Sequence, residues 1–364
     1  MKYKVLLTVA IVFFCSISYT SAQEIYDCTI IDKSGDYVVK NDIINSNNTF
    51  CIEIKASEVI IDCDMHSIRG NFVLDSHGII TSSPQQIKNI KIENCIVEEW
   101  GSQGITIKNT ANITLKNINS SNNHRKGILI LNSRRIIIEN NLLSNNGHEG
   151  IFIENSDKIS IKNNNILNNQ GLTGIMLKNN VNVGYIEDNT IINNEHGGIR
   201  LENNIKNIKI KNNRINSNGI GTGLWLEGNI RRNLIENNDF INNSFGIVMA
   251  ENSFRNVLKS NRVSENSIGF IIEEAMNNLI YNNFLNNTHN VELYSGSTSG
   301  TIFWNTTLSI GSNIIRGPYI GGNYWANPQG NGYSQICVNA DDDGFCDEPY
   351  HVGINNVDYF PLTI

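Results

Sequence analysis

Glu202 and Glu227 close two neighbouring copies of one short phrase, "GGIRLE" and "TGLWLE". Paired carboxylates at short range are the equipment of glycoside hydrolysis, one as acid and one as nucleophile or base. If successive phrases stack, the two lie one layer apart, close to the separation of a retaining pair. Their column runs Lys108, Leu131, Glu154, Lys178, Glu202, Glu227, Ala250, Glu273. The alternating signs of Glu154, Lys178 and Glu202 fit a cross-strand salt-bridge ladder instead. Two residues earlier the column reads Thr106, Leu129, Phe152, Met176, Arg200, Trp225, Val248, Ile271. These residues sit between apolar neighbours and should point outward. An outward apolar stripe is covered by a loop, used in self-association, misassigned in its in/out register, or used to bind something. The sharper expectation is a glycan platform centred on Trp225 and Arg200, with Phe152, Met176, Glu202 and Glu227 beside them, because an indole face and a guanidinium stack on a sugar ring and engage its acids.

The stretch "CVNADDDGFCDEPY" (337–350) offers different chemistry. Asn339, Asp341, Asp343 and Asp347 put oxygen donors at alternating positions around Gly344, as at the start of a calcium loop. The acidic residue expected at the twelfth position is replaced by Tyr350. The internal cysteine makes the pattern similar to a thrombospondin type 3 repeat. Calcium is the expected cofactor, stiffening the segment; a solvated acidic turn is the plain alternative.

What must position these residues is a repeat. Gly78, Gly104, Gly127, Gly150, Gly174, Gly198, Gly223, Gly246 and Gly269 head successive "GI-x-L" phrases, 23 to 26 residues apart. Each unit holds short stretches of period-two alternation, the signal of short strands. No helical period is sustained, and the leucine-and-asparagine spacing of leucine-rich repeats is missing. The expected fold is all-β: a right-handed, single-stranded parallel β-helix of about ten coils with N- and C-terminal caps. About 60 asparagines serve it. One column reads Asn94, Asn117, Asn140, Asn163, Asp188, Asn212, and another, six residues later, Asn123, Asn146, Asn169, Asn194, Asn218. Coils about 4.8 Å apart let identical amides bond up the stack. Asparagine also tolerates left-handed turns.

Residues 1–22 read as a secretory signal, with Lys2 and Lys4 ahead of an apolar run and a small-residue cleavage site. No later run is long enough to span a membrane. Residues 23–50 and 300–364 break the period and form the expected caps around repeats at 51–299. Outside the signal lie Cys28, Cys51, Cys63, Cys95, Cys337 and Cys346, gathered towards the two ends. An exported chain with an even number reads as disulfide-bonded. We pair Cys28 with Cys51 and Cys63 with Cys95, one of the three pairings those four allow, and close the acidic loop with Cys337–Cys346. The net charge of −7, 17% charged residues and the absence of a contiguous basic tract argue against a nucleic-acid partner.

The "GI-x-L-x-N" and "I-x-NN" phrases resemble the parallel β-helix repeat of carbohydrate-binding and sugar-hydrolase domains and the NosD-type β-helix, named for a periplasmic protein of copper-site assembly. "IIDCDMHSIRG" (60–70), "GPYIGGNYWANPQGNGYSQICVNADDDGFCDEPYHV" (317–352) and "DYFPL" (358–362) resemble the first coil and closing module of exported archaeal β-helix proteins. The resemblance implies a secreted or cell-surface protein with a polysaccharide or envelope glycan as partner, or a structural envelope component. A polysaccharide lyase or glycoside hydrolase using the outward face, and a NosD-like accessory, are the alternatives. Copper is not expected, because the histidines are scattered and soft ligands do not cluster.

Overall fold

The computed structural model of the chain describes residues 21–294 and 301–364. Nearly all of the expected signal, residues 1–20, lies outside the described residues. Three parallel sheets of twelve strands wrap around one core. Each coil visits them in the same order, as in Ile151–Glu154 (sheet I), Asp157–Lys162 (sheet II) and Asn165–Leu167 (sheet III). Sheet I carries the "GI-x-L" phrases and runs from Thr29–Ile31 to His289–Leu293. The solenoid is right-handed with about twelve turns, not the ten expected. The difference lies at the ends. Gln23–Ile25, Thr29–Ile31, Gly35–Val39 and Ile43–Ser46 already pair in parallel with later strands, so residues 23–50 carry the coil register without the glycine that marks it. Tyr324–Ala326 adds the last strand of sheet III.

Constant register builds the core. Ile128, Ile151, Ile175, Ile199 and Leu224 stack in one buried file, and Ile130, Ile153, Leu177, Leu201 and Leu226 in a second. β-Branched side chains suit such half-buried pleated surfaces. The glycine column is needed where coils close on one another. A Cβ on Gly174 would lie 2.8 Å from Ile191 Cγ2 and 2.9 Å from Asn194 Nδ2.

The asparagines divide their work more finely than their columns suggested. Asn140, Asn163, Asn212 and Asn237 are exposed and take φ near +55°, the left-handed geometry of the turn from sheet II to sheet III. The buried ladder belongs to the residue that follows each of them. Asn141, Asn164, Asn189, Asn213, Asn238, Asn261 and Asn283 each donate from Nδ2 to Oδ1 of the next, at 2.9–3.0 Å. Asn283 passes the ladder to Asn323, 40 residues on. The second expected column, Asn123 to Asn266, is buried and laddered as anticipated. A third ladder, Asn233–Asn256–Asn278, guards the corner between sheets I and II.

The ends are closed with covalent and aromatic material. Disulfides join Cys28–Cys51, Cys63–Cys95 and Cys337–Cys346. The first two staple adjacent coils. Trp304 and Trp325 lie over the last coil, both buried, with ring centroids 5.5 Å apart, and Trp304 meets Phe270 edge-on. The Trp325 indole N–H donates to buried Asp358 Oδ2 at 2.8 Å, and the Asn323 backbone N–H donates to the same oxygen at 2.8 Å. Burial outweighs these bonds and raises the Asp358 carboxyl to a pKa of about 6.

Candidate functional site

Sheet I holds the expected platform residues in one outward file. Phe152, Met176, Arg200 and Trp225 are successive register partners. The file is only partly open. Thr106 is fully buried with Oγ1 3.1 Å from His77 Nδ1, and Val248 and Ile271 pack with Ala250 into a small apolar cluster against Trp225. Met176 is 2% exposed between Phe152 and Arg200, so it cannot offer a ligand the surface expected of it. Phe152, Arg200 and Trp225 remain half-buried. Burial, then the nearby Lys108 charge, lowers the His77 pKa to about 4, so this imidazole is neutral at physiological pH.

Two cations lie over the rings of this file. Lys126 Nζ is 4.8 Å from the Phe152 centroid, and Arg200 Cζ is 4.8 Å from Trp225. Each cation also has a carboxylate. Lys126 lies 3.2 Å from Glu149, and Arg200 Nη2 lies 3.1 Å from Glu202 Oε2 and 2.5 Å from Glu227 Oε2. Lys178 completes the chain at 2.7 Å from Glu202. Glu202 and Glu227 are in register on adjacent coils, as a retaining pair would be, but one guanidinium bridges them. With Lys178 and Arg200 between the carboxylates, the arrangement is a charge ladder.

Asn339, Asp341 and Asp343 lie in the loop closed by Cys337–Cys346, and Asp347 directly follows it. Oxygens of Asn339, Asp343 and Asp347 accept from the segment's own amides. The Asp343 N–H donates to Asn339 Oδ1 at 3.2 Å, the Phe345 N–H to Asp343 Oδ1 at 2.9 Å, and the Ala340 N–H to Asp347 Oδ1 at 3.1 Å. Among the described residues no three His, Cys, Asp or Glu side chains are gathered closely enough to hold a metal ion.

The sequence matches the family described as periplasmic copper-binding protein (NosD) over residues 15–253 and 243–330. The chain belongs to the NosD family. Solved structures share the NosD chain's architecture at low identity. The A-module of mannuronan C-5 epimerase AlgE6 from Azotobacter vinelandii superposes with a TM-score of 0.54 at 13% identity, covering 73% of this chain and 79% of that one. The AlgE4 A-module from the same organism gives 0.52 at 13%, covering 71% and 79%. The Dettilon tailspike protein gives 0.50 at 16%, covering 69% and 60%. At such identities the likeness is one of fold. No curated protein sequence matches this chain. The family's description names copper, and this NosD chain does not fit it. Its six described cysteines are all in disulfides, and among the described residues no three His, Cys, Asp or Glu side chains converge. Among the described residues no helix is long and apolar enough to cross a membrane.

Proposed function

We propose that this NosD-family chain is an exported, non-catalytic β-helix that binds an envelope or surface glycan on the outer face of sheet I. The observation that carries the reading is the pair of ring–cation stacks, Lys126 on Phe152 and Arg200 on Trp225, both at 4.8 Å and on one file. Three coils separate them, about 14 Å, a few sugar units along an extended chain. Trp225 Nε1 and Arg200 Nε are buried atoms without a hydrogen-bond partner among the described residues, so the ring face and not these donors is what the platform offers. Disulfides at both ends suit export. The bridging of Glu202 and Glu227 by Arg200 argues against the hydrolase and lyase alternatives.

Trp225→Ala tests this reading. Arg200 is a poor first target, because its removal leaves two carboxylates face to face. Trp225→Ala is expected to weaken binding of at least one polysaccharide in an array of neutral and acidic glycans by about tenfold or more, with the melting curve little changed. Unchanged binding would refute the platform.

The same reading keeps calcium for the closing loop, with Asn339, Asp341, Asp343 and Asp347 turning from the backbone amides to the ion. Calcium at millimolar concentration is then expected to raise the melting temperature above that in chelator by a few degrees. Superimposable melting curves would remove calcium from the account.

A further inference from the structure

Charge is handled in two different ways on sheet II. Along its outer file nearest sheet III, neighbouring coils alternate Glu139, Lys162, Glu187, Lys211, Glu236 and Lys259, and each charge faces its opposite. At the other edge, where the chain turns in from sheet I, the alternation stops. One register column there reads Arg134, Asp157, Asn182, Lys206 and Arg231, so the coil of Asn182 and Val183 is the one break in the cations. The next residue in each coil, a left-handed position, contributes Arg135, Lys158, Arg232 and Arg255. Lys209 lies on the neighbouring outward file. Lys206 and Arg231 face each other directly, and the Arg232 backbone N–H donates to the Arg255 carbonyl on the next coil. Stacked like charges are destabilising. Among the described residues none of these lysines and arginines has a carboxylate within 4.0 Å. Only Lys88 and Lys91, at the N-terminal end, are paired, with Glu58 and Glu93.

The edge also presents rings. Lys209 Nζ lies 5.5 Å from the centroid of exposed Tyr185, and Arg231 Cζ lies 6.0 Å from that of Phe254. Towards the N-terminus the surface dips into an open groove of about 660 Å³, where Lys91 and Arg135 are balanced by Asp36 and Glu58 beside exposed Ile137, so the unbalanced cations lie further along the edge. On a chain of net charge −7, an unneutralised basic row with interleaved rings is a specific feature.

We infer that this edge is a second binding surface, for an anionic polysaccharide lying along the helix axis. The shape favours a glycan over other polyanions. The cations rise in a straight line, at most one or two per coil of about 4.8 Å. That rise is close to one sugar unit of an extended chain, so one acid group per sugar meets the row repeatedly. Duplex phosphates wind away from a straight edge and carry one charge per about 1.7 Å of axis. The rings offer sugar faces a stacking surface and the cations take the acid groups. Carboxylates and sulfates share this chemistry.

The surface is distinct from the sheet I platform, and the test separates them. The full mature chain is titrated with polygalacturonate, dextran sulfate, neutral dextran and duplex DNA. The triple variant Lys206→Gln/Arg231→Gln/Arg232→Gln is measured beside Trp225→Ala. The triple variant is expected to bind the anionic glycans about tenfold or more weakly and with a shallower salt dependence, and Trp225→Ala to leave them bound. The more weakened of the two anionic arms identifies carboxylate or sulfate. If the triple variant melts early, exposed Arg232→Gln and Lys158→Gln singly carry the same expectation at smaller size. Undiminished binding of both anionic glycans by these variants overturns the inference, and so does tighter binding of duplex DNA. Failure of the platform reading alone appears as Trp225→Ala binding every glycan normally while the triple variant loses the anionic ones.

Discussion

Asn164→Ala is expected to destabilise the protein by about 3 kcal/mol or more, while Asn163→Gly, one residue earlier, should be close to neutral. Asn164 is 1% exposed and makes four bonds through its side chain. Its Oδ1 accepts from the Asn141 backbone N–H and from Asn141 Nδ2, both at 2.9 Å. Its Nδ2 donates to the Ile138 carbonyl and to Asn189 Oδ1, both at 3.0 Å. Alanine leaves the Asn141 backbone amide unpaired in a place water does not reach and removes one bond each from Asn141 Nδ2, the Ile138 carbonyl and Asn189 Oδ1; a buried orphan alone costs about 1–3 kcal/mol. Asn163 is exposed with φ +55°, a conformation that glycine adopts without penalty. Chemical denaturation of the two variants decides the matter. Equal stabilities would show that the buried amides do not hold the corner.

Asp358 should make the C-terminal closure weaken as pH rises. Its carboxyl is buried and its folded pKa is about 6, above the unfolded value of about 3.9. The unfolded chain therefore gives up this proton more readily. The stabilisation is fully present below about pH 4, is lost as pH rises from 4 through 6, and stays lost above. About two pKa units correspond to roughly 3 kcal/mol. Asp358→Asn is neutral throughout and keeps an oxygen for the Trp325 indole and the Asn323 amide. The stability of the wild type relative to this variant should fall by roughly that amount between pH 4 and pH 7. A difference constant over that range would mean that the carboxyl is not held protonated. Using the difference cancels oppositely signed groups such as Asp42, whose pKa is lowered by the Ser67 amide and His66.

The repeat period alone determined most of the fold. A glycine every 23 to 26 residues, with short alternating stretches between, leaves a stacked parallel coil as the structure that buries every apolar flank. The in/out assignment of Ile151, Ile153, Ile175 and Leu177 was legible for the same reason, since alternation has period two and a one-residue slip would turn the whole file outward. That disulfides staple the two ends was legible from where the cysteines gather; which of three pairings the first four adopt was decided by the coils that set Cys28 beside Cys51 and Cys63 beside Cys95. What the period did not carry is which of two adjacent asparagines turns inward. Both suit a corner, and only the left-handed φ of the first sends the second into the ladder. Nor did it show that Met176 is buried, because outward residues on a flat file are shielded by the size of their neighbours, here Phe152 and Arg200.

The functional surfaces divide along the same line. The ring–cation file on sheet I was visible in sequence because its residues occupy one position of a repeated phrase. That Arg200 spends its guanidinium on Glu202 and Glu227 was not, since side-chain pairing depends on rotamers and on the coil above. The basic edge of sheet II left no trace as a tract. Arg134, Lys158, Lys206, Arg231 and Arg255 are spread over some 120 residues and diluted by an acidic chain. Sequence order determined that each coil has such a corner. Only stacking, which brings residues one period apart to within about 4.8 Å, gathered isolated cations into a charged edge on either side of the Asn182 coil.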